Sequence, residues 1–597
     1  MPFSILKFTS YSFVILPISL MLGCVSSNQA TSEISSSDHI ETRSIEEHVE
    51  LEFIKNEVLK EREAKRSSKS VEQVAKKKQA RLYMAKPLAD MSVASMPLSV
   101  SAPASYYHPP YYQDESREKY AEFDQNSVML VSADPVSTFS IDVDTGSYTN
   151  VRRMITQGSL PPVDAVRIEE MVNYFSYQYD VPLSQNQPFN FQTELATSPW
   201  SDQHVLLKIG LKGFQPEAKL RPSANLVFLL DVSGSMNSPD KLPLLKKSLL
   251  LLSKQLSAKD KVSIVVYAGA SGIVLEPTEG NQSLEIETAL DKLSAGGSTN
   301  GKAGIQLAYQ LAEKAYIEGG INRILLATDG DFNVGTRNVE ALKDLIEKKR
   351  EAGISLTTLG FGTGNYNDHL MEQLADTGNG HYAYIDTLKE ARKVLVEELN
   401  STLLTIAKDV KIQIEFNPEH VSEYRLVGYE NRVLNREDFN NDKVDAGEIG
   451  AGHSVTAIYE LALTRHGENR NGANRIDALR YENLRVKDDK TNFSKELAFI
   501  KFRYKAPDQT VSQLIKTAIQ RPAKINVFDK ASQDFRFAST VAHFGEVLKH
   551  SKYIGSVEYD TIIRHALSSK GDDPFGYRSE FVQLVRLAAN LDNNFSQ

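Results

Sequence analysis

Between Ala224 and Leu404 the chain alternates short, wholly apolar runs with longer stretches whose apolar residues recur every three or four positions. This alternation constrains the fold more than any other feature. Residues 226–230 are apolar without a break, as expected of a strand buried on both faces. Leu242, Leu245, Leu249, Leu252 and Leu256 then line one side of a helix. Further strands are predicted at 262–267, 272–276, 324–327, 354–359 and 381–385. Helices are predicted at 284–293, at 302–316, through Val339, Leu342 and Ile346, at 368–376 and at 388–404. Strands and helices in this order imply an α/β unit with a doubly wound, mostly parallel sheet covered on both faces.

The flanks read differently. Residues 189–196 and 205–211 are strand-like before the unit, and 410–416, 424–429, 454–463 and 497–504 are strand-like after it. Two antiparallel strands alone are marginal in water. The six stretches together make a β-sandwich into which the α/β unit is inserted. A helix is predicted at 166–175. The tail, 511–597, reads as helical, with Phe537, Val541, Phe544 and Leu548 on one face and Leu584, Leu587 and Leu591 on another. The expected division is therefore a leader at 1–24, a tether at 25–115, an N-terminal flanking region at 116–213, the α/β unit at 224–404, sandwich strands at 405–510 and the helical tail.

The leader has one early charge, Lys7, and an apolar stretch over 8–22 interrupted by Pro17. It is too short for a comfortable membrane span, which needs about 20 residues, and suits a secretory signal. It ends Leu20-Met21-Leu22-Gly23-Cys24, which resembles a bacterial lipobox, with Met21 where such signals prefer Leu and with a thin basic region. The resemblance implies that Cys24 carries lipid. Val25, rather than Asp, follows it, which implies the outer membrane in a cell with two membranes. The tether is Ser-rich at 26–37, charged and partly helical at 41–81, and disordered by composition at 91–113. The net charge of -9, from 77 acidic and 68 basic residues, argues against nucleic acid as a partner. Cys24 is the sole cysteine, so an intramolecular disulfide and a multi-thiolate zinc site are both excluded.

The chemistry lies at strand ends. Asp231-Val-Ser233-Gly-Ser235 directly follows the first apolar strand, and Thr328-Asp329-Gly330 directly follows the strand at 324–327. Both carboxylates therefore sit at the carboxyl edge of a parallel sheet, where open α/β sheets bind ligands. Between them lies Gly296-Gly-Ser-Thr299-Asn300, a glycine-rich loop before a helix. Two carboxylates and three hydroxyls form a hard oxygen set suited to Mg²⁺, with Ca²⁺ and Mn²⁺ as competitors. Such a set leaves coordination positions for water or for a partner's oxygen.

In order and context, Asp231, Ser233, Ser235, Thr299 and Asp329 resemble the metal-ion-dependent adhesion motif of von Willebrand factor A-type domains, with the resemblance covering Ala224 to about Leu404. It implies that these five residues hold a divalent cation, directly or through water, and that a protein partner presenting an Asp or Glu completes the site. Less specifically, residues 139–174 and 553–587 resemble the flanks of bacterial secreted or lipid-anchored A-domain proteins. The expected function is a metal-dependent, non-enzymatic binding module on a lipid-anchored envelope protein facing the periplasm or exterior. The alternatives are a structural envelope protein with a stabilising metal and a metal-assisted hydrolase, against which no general base stands at motif spacing.

Other motifs fall short. Gly296 to Gly301-Lys302 lacks the Ser or Thr of a phosphate-binding loop, since Ala303 stands there, and it follows a helix, so no nucleotide is expected. Gly360-Phe-Gly362-Thr-Gly364 has Asn365 where a dinucleotide fingerprint needs its third glycine. Asp142 and Asp144, and Asp438, Asn440 and Asp442, begin like calcium loops but lack the glycine and closing carboxylate; the first reads instead as a strand ending in a polar turn. No GxSxG elbow occurs.

Overall fold

The computed structural model describes residues 117–184, 186–217, 221–330, 332, 339–464, 493–556 and 558–595. The leader, Cys24 and the tether lie outside the described residues.

In chain order the strands are β1 (Met129–Leu130), β2 (Val136–Ser140), β3 (Phe189–Thr197), β4 (Val205–Gly213), β5 (Ala224–Asp231), β6 (Lys261–Tyr267), β7 (Ser271–Glu279), β8 (Ile321–Thr328), β9 (Ser355–Phe361), β10 (Tyr382–Ile385), β11 (Thr405–Phe416), β12 (Val421–Val427), β13 (Ile449–Gly450), β14 (Ser454–Leu463), β15 (Glu496–Lys505) and β16 (Gln513–Gln520). They form three sheets.

The first is the expected α/β sheet, ordered β10-β9-β8-β5-β6-β7 and parallel except for the β6–β7 edge. β5 is buried along its whole length. Its Leu226, Phe228 and Leu230 pack with Leu245, Leu249, Leu252, Ile286 and Leu290 of two helices on one face. Its Val227 and Leu229 meet Ile305, Ala308, Ile346 and Leu374 on the other. Alternate side chains of one strand thus feed two cores. Burying each large apolar side chain stabilises the fold by roughly 1.5–3 kcal/mol before entropy is counted.

The other two sheets pack face to face. β1-β12-β14-β4-β3 forms one, and β11 with β2, β13, β15 and β16 forms the other. β4 precedes the α/β unit and pairs antiparallel with β14, which follows it, over Val205↔Leu461 to Ser454↔Lys212. The α/β unit is therefore inserted into a β-sandwich. Leu207, Ile209 and Leu211 of β4 share the inter-sheet core with Ile412, Ile414, Ile500 and Phe502. The opposite face of the β4 sheet offers Ala196, Leu206, Val427 and Ile458 to a helical layer. That layer joins Gly146–Thr156 and Ile168–Asn173 to the tail helices Gln533–Leu548, Tyr559–Ser569 and Tyr577–Phe595.

Four details differ from expectation. Residues 511–597, expected to be helical, open with β16, a sheet-edge strand whose polar and basic side chains face water. Leu587 is 43% exposed; Leu584, Val585 and Ala588 supply the buried face instead. The helix expected at 388–404 is broken by a π-turn at Lys393–Glu397. The wider turn lets Lys393 reach Glu398 at 2.8 Å and cover the Tyr174 ring at 4.3 Å. Gly146–Thr156 is an additional helix; it buries Thr149, Asn150, Arg152 and Arg153, which breaks the usual apolar stripe.

Buried charge joins the unit to its flanks. Arg167 approaches Asp368 at 2.6 Å and also pairs with Glu170. Arg432 reaches Asp376 at 2.8 Å, Glu372 at 3.2 Å and Asp142 at 3.5 Å. Arg152 holds Asp386 and, at 2.9 Å, Glu390. Asp142 and Asp144 thus form a polar turn, as read from the sequence: the Asp144 N–H donates to Asp142 Oδ1, and Asp144 Oδ1 accepts from the Tyr382 N–H. Asp438 caps a short 3₁₀ turn through Asn435.

Candidate metal centre

The centre is built where the α/β sheet reverses its winding. From β5 the chain moves to β6 on one side and later returns to β8 on the other, and this leaves a crevice beyond the carboxyl ends of β5 and β8.

Asp231 closes β5. Its Oδ1 accepts from the Ser233 N–H at 2.8 Å, which turns the chain sharply off the strand. The Ser233 and Ser235 hydroxyl oxygens then lie 3.0 Å apart, Ser233 buried and Ser235 exposed. β8 runs beside β5, with Leu230 opposite Ala327, so Thr328 arrives next to Asp231 and its hydroxyl donates to Asp231 Oδ2 at 2.9 Å. The glycine-rich loop docks on the same turn. The Gly296 N–H donates to the Val232 carbonyl at 2.8 Å, and the Gly234 N–H to the Gly297 carbonyl at 3.0 Å. Half-buried Thr299 follows, at the start of helix Gly301–Lys314.

Gly330 completes the third loop. Its φ is +83°, and a Cβ there would stand 2.4 Å from the Asn367 backbone nitrogen, so only glycine fits. Asn367 in turn caps helix Asp368–Thr377 by accepting from the Leu370 N–H at 3.3 Å.

Asp231 and Asp329 are both fully buried. Burial pushes the Asp231 carboxyl up to about 6; hydrogen bonds from Ser233 and Thr328 hold it down in part, and the neighbouring Asp329 adds to the rise. A desolvated pair of carboxylates favours a cation. Among the described residues, the cation that meets this pair is Lys241, whose Nζ lies 2.8 Å from Asp329 Oδ2. Its aliphatic stem passes over Gly362, where a Cβ would stand 2.2 Å from Lys241 Cγ.

The fold therefore brings Asp231, Ser233, Ser235 and Thr328 into direct hydrogen-bonded contact and sets Asp329 beside them, with Thr299 placed by the docking of its loop. Sequence reasoning missed Thr328 and Lys241. Thr328 was signalled by its place before Asp329; for Lys241 the only signal was a lysine just ahead of a helix that follows the Asp231 turn. Among the described residues, no cluster of three or more His, Cys, Asp or Glu side chains is arranged to hold a metal. The candidate centre draws on hydroxyls as well as two carboxylates, and this hard-oxygen set fits Mg²⁺, Ca²⁺ or Mn²⁺.

Residues 225–398 match the von Willebrand factor type A domain family, residues 114–208 a von Willebrand factor family, and residues 401–591 the C-terminal family of the uncharacterized protein YfbK. Uncharacterized protein YfbK of Escherichia coli (strain K12) is 48% identical over 476 residues, covering 79% of this chain and 81% of that protein. The chain belongs to the YfbK family. Outside it, inter-alpha-trypsin inhibitor heavy chain H3 of Homo sapiens is 26% identical over 268 residues, covering 42% of this chain and 29% of that one. Among solved structures, the von Willebrand factor type A protein from Catenulispora acidiphila aligns with 69% of this chain and 91% of its own, at 14% identity and a TM-score of 0.38. Family membership thus spans the α/β unit and the flanks on both sides of it.

Proposed function

We propose that this chain is a metal-dependent protein-binding module on an envelope lipoprotein, anchored through Cys24 and engaging a partner that presents an Asp or Glu. The observation that carries the proposal is the convergence of three loops at one crevice, which gathers Asp231, Ser233 and Ser235 with Thr328 and Asp329 and docks the Thr299 loop against them. Asp231, Ser233, Ser235, Thr299 and Asp329 would hold Mg²⁺, or Ca²⁺ or Mn²⁺ in its place. When bound, the cation supplies a Lewis-acidic position open to a partner's carboxylate oxygen. The chain's own part is to fix the donors: the Ser233 N–H and the Thr328 hydroxyl orient both oxygens of Asp231 before anything binds. Membership of a von Willebrand factor type A family, whose members act in protein–protein contact, supports binding over catalysis.

Calorimetry with Mg²⁺ and Mn²⁺ tests the centre. Asp231→Ala should abolish specific binding; because the carboxyl is buried and accepts from Ser233 and Thr328, the variant should also melt lower, so binding is read on protein shown to be folded; equal affinity in wild type and variant would sink the assignment. A cross-linking pull-down from the native envelope with and without chelator tests the binding role. Chelator-sensitive capture supports it. A centre that raises the melting temperature with metal but captures no partner favours a structural role.

A further inference from the structure

Lys241 lies outside the adhesion motif, yet its ammonium group is closer to a motif carboxylate than any other cation in the described structure. It sits just ahead of helix Leu242–Ser253 and is 7% exposed. Nζ makes an ion pair of 2.8 Å with Asp329 Oδ2 and a longer contact of 3.4 Å with Asn365 Oδ1. The side chain crosses Gly362, at φ +72°, which opens β9's exit loop to let the stem pass.

We infer that Lys241 is a built-in counter-cation of the metal centre: it occupies Asp329 while the site is empty and sets, by repulsion, how tightly a divalent cation is held. The inference rests on the proposed function and concerns the regulation of that same site. Two buried carboxylates without a cation would repel each other. Lys241 relieves one of them, so the empty site keeps its shape. A divalent cation entering beside Asp231 then faces a positive charge a few ångströms away. Even when screened as in bulk water, repulsion between an ammonium and a doubly charged cation at that range changes affinity by about ten- to a hundredfold. With the cation in place, the two carboxylates, the ammonium and the cation leave one positive charge in excess. The lysine thereby weakens metal binding while biasing the loaded site toward an acidic partner.

The test is Mg²⁺ calorimetry on the full chain with Lys241→Met and Lys241→Arg, alongside wild type and Asp231→Ala. Lys241→Met is expected to bind Mg²⁺ about ten- to a hundredfold more tightly, with Lys241→Arg within about threefold of wild type. Melting curves should show Lys241→Met less stable than wild type in chelator and gaining more from Mg²⁺. If Lys241→Met is unfolded in chelator, Mg²⁺ should restore its melting transition; a variant still unfolded in saturating Mg²⁺ overturns the inference, since the lysine is then needed whatever fills the site. Unchanged or weaker Mg²⁺ affinity in a folded Lys241→Met also overturns it, while binding that is lost in Asp231→Ala leaves the metal centre standing. Binding absent from wild type removes the proposed function itself.

Discussion

The charged seam between the α/β unit and its flanks makes a sharp prediction for Arg167→Met. Arg167 is 4% exposed and lies against three carboxylates, Glu170, Asp368 at 2.6 Å and Glu372 at 3.9 Å. Methionine preserves most of the volume but removes the one charge among the described residues that faces all three. Breaking a buried pair by deleting one partner costs about 3–5 kcal/mol, because the other charge stays buried. If the seam melts with a cooperative unit of roughly 150–250 residues, each kcal/mol lowers the melting temperature by about 2–4 °C, so a drop of about 6–20 °C is expected. The deficit should depend on pH. Burial raises the Glu170 and Glu372 carboxyls, and Arg167 pulls both back down. Without the guanidinium their folded values rise further above the unfolded value of about 4.3. Carboxyls so raised contribute most to stability below that unfolded value and lose the contribution as pH rises through the folded value. Lys would keep the charge but lose the fork geometry, so Arg167→Lys should fall between. Calorimetric melts of wild type and both variants from pH 8 to pH 5 check this. A drop under about 2 °C at pH 7.5, or a deficit that does not shrink toward pH 5, would refute the view that Arg167 holds the seam by charge.

Gly330→Ala should lower stability by about 1–3 kcal/mol, since a non-glycine residue at φ +83° is strained and its Cβ meets Asn367, and it should weaken Mg²⁺ binding with it; a variant matching wild type in both melting and calorimetry would place the loop's conformation under no constraint. Cys24→Ser should release the protein from the membrane fraction or block its processing, and unchanged fractionation would count against lipidation.

How much of this was legible depends on where each element finds its partners. β5 and β8 are covered on both faces, so their central residues are apolar, and the sequence displays them as unbroken runs at 226–230 and 324–327. β16 lies at a sheet edge with two short apolar pairs, Leu514-Ile515 and Ala518-Ile519, and with Lys516 and Gln520 toward water, so it lacks strict alternation in a region dominated by helical periodicity. Gly146–Thr156 fails the helical pattern for the opposite reason. Its Asn150, Arg152 and Arg153 are buried against Asp368, Asp386 and Glu118, so a polar residue there marks the inside. Periodicity reads burial through hydrophobicity, and it is blind to polar side chains that are buried because they are paired.

The same distinction divides the candidate site. Asp231, Ser233, Ser235, Thr299 and Asp329 could be placed because each belongs to a loop leaving a strand or entering a helix, and such loops must meet at the carboxyl edge of a parallel sheet. Thr328 needed only one further step, since β5 and β8 are neighbours and the residue after Ala327 must lie beside Asp231. Lys241 needed more. Its reach depends on the exit loop of β9 passing beneath it at Gly362, a contact 121 positions away that no local pattern encodes. Arg432 is likewise remote from Asp142, at 290 positions. Side chains whose role is to compensate a charge are recognised only when the fold shows which charge they face. In this chain, therefore, the residues expected to bind were readable from sequence, while those that balance buried charge at the crevice and along the seam were readable only from the structure.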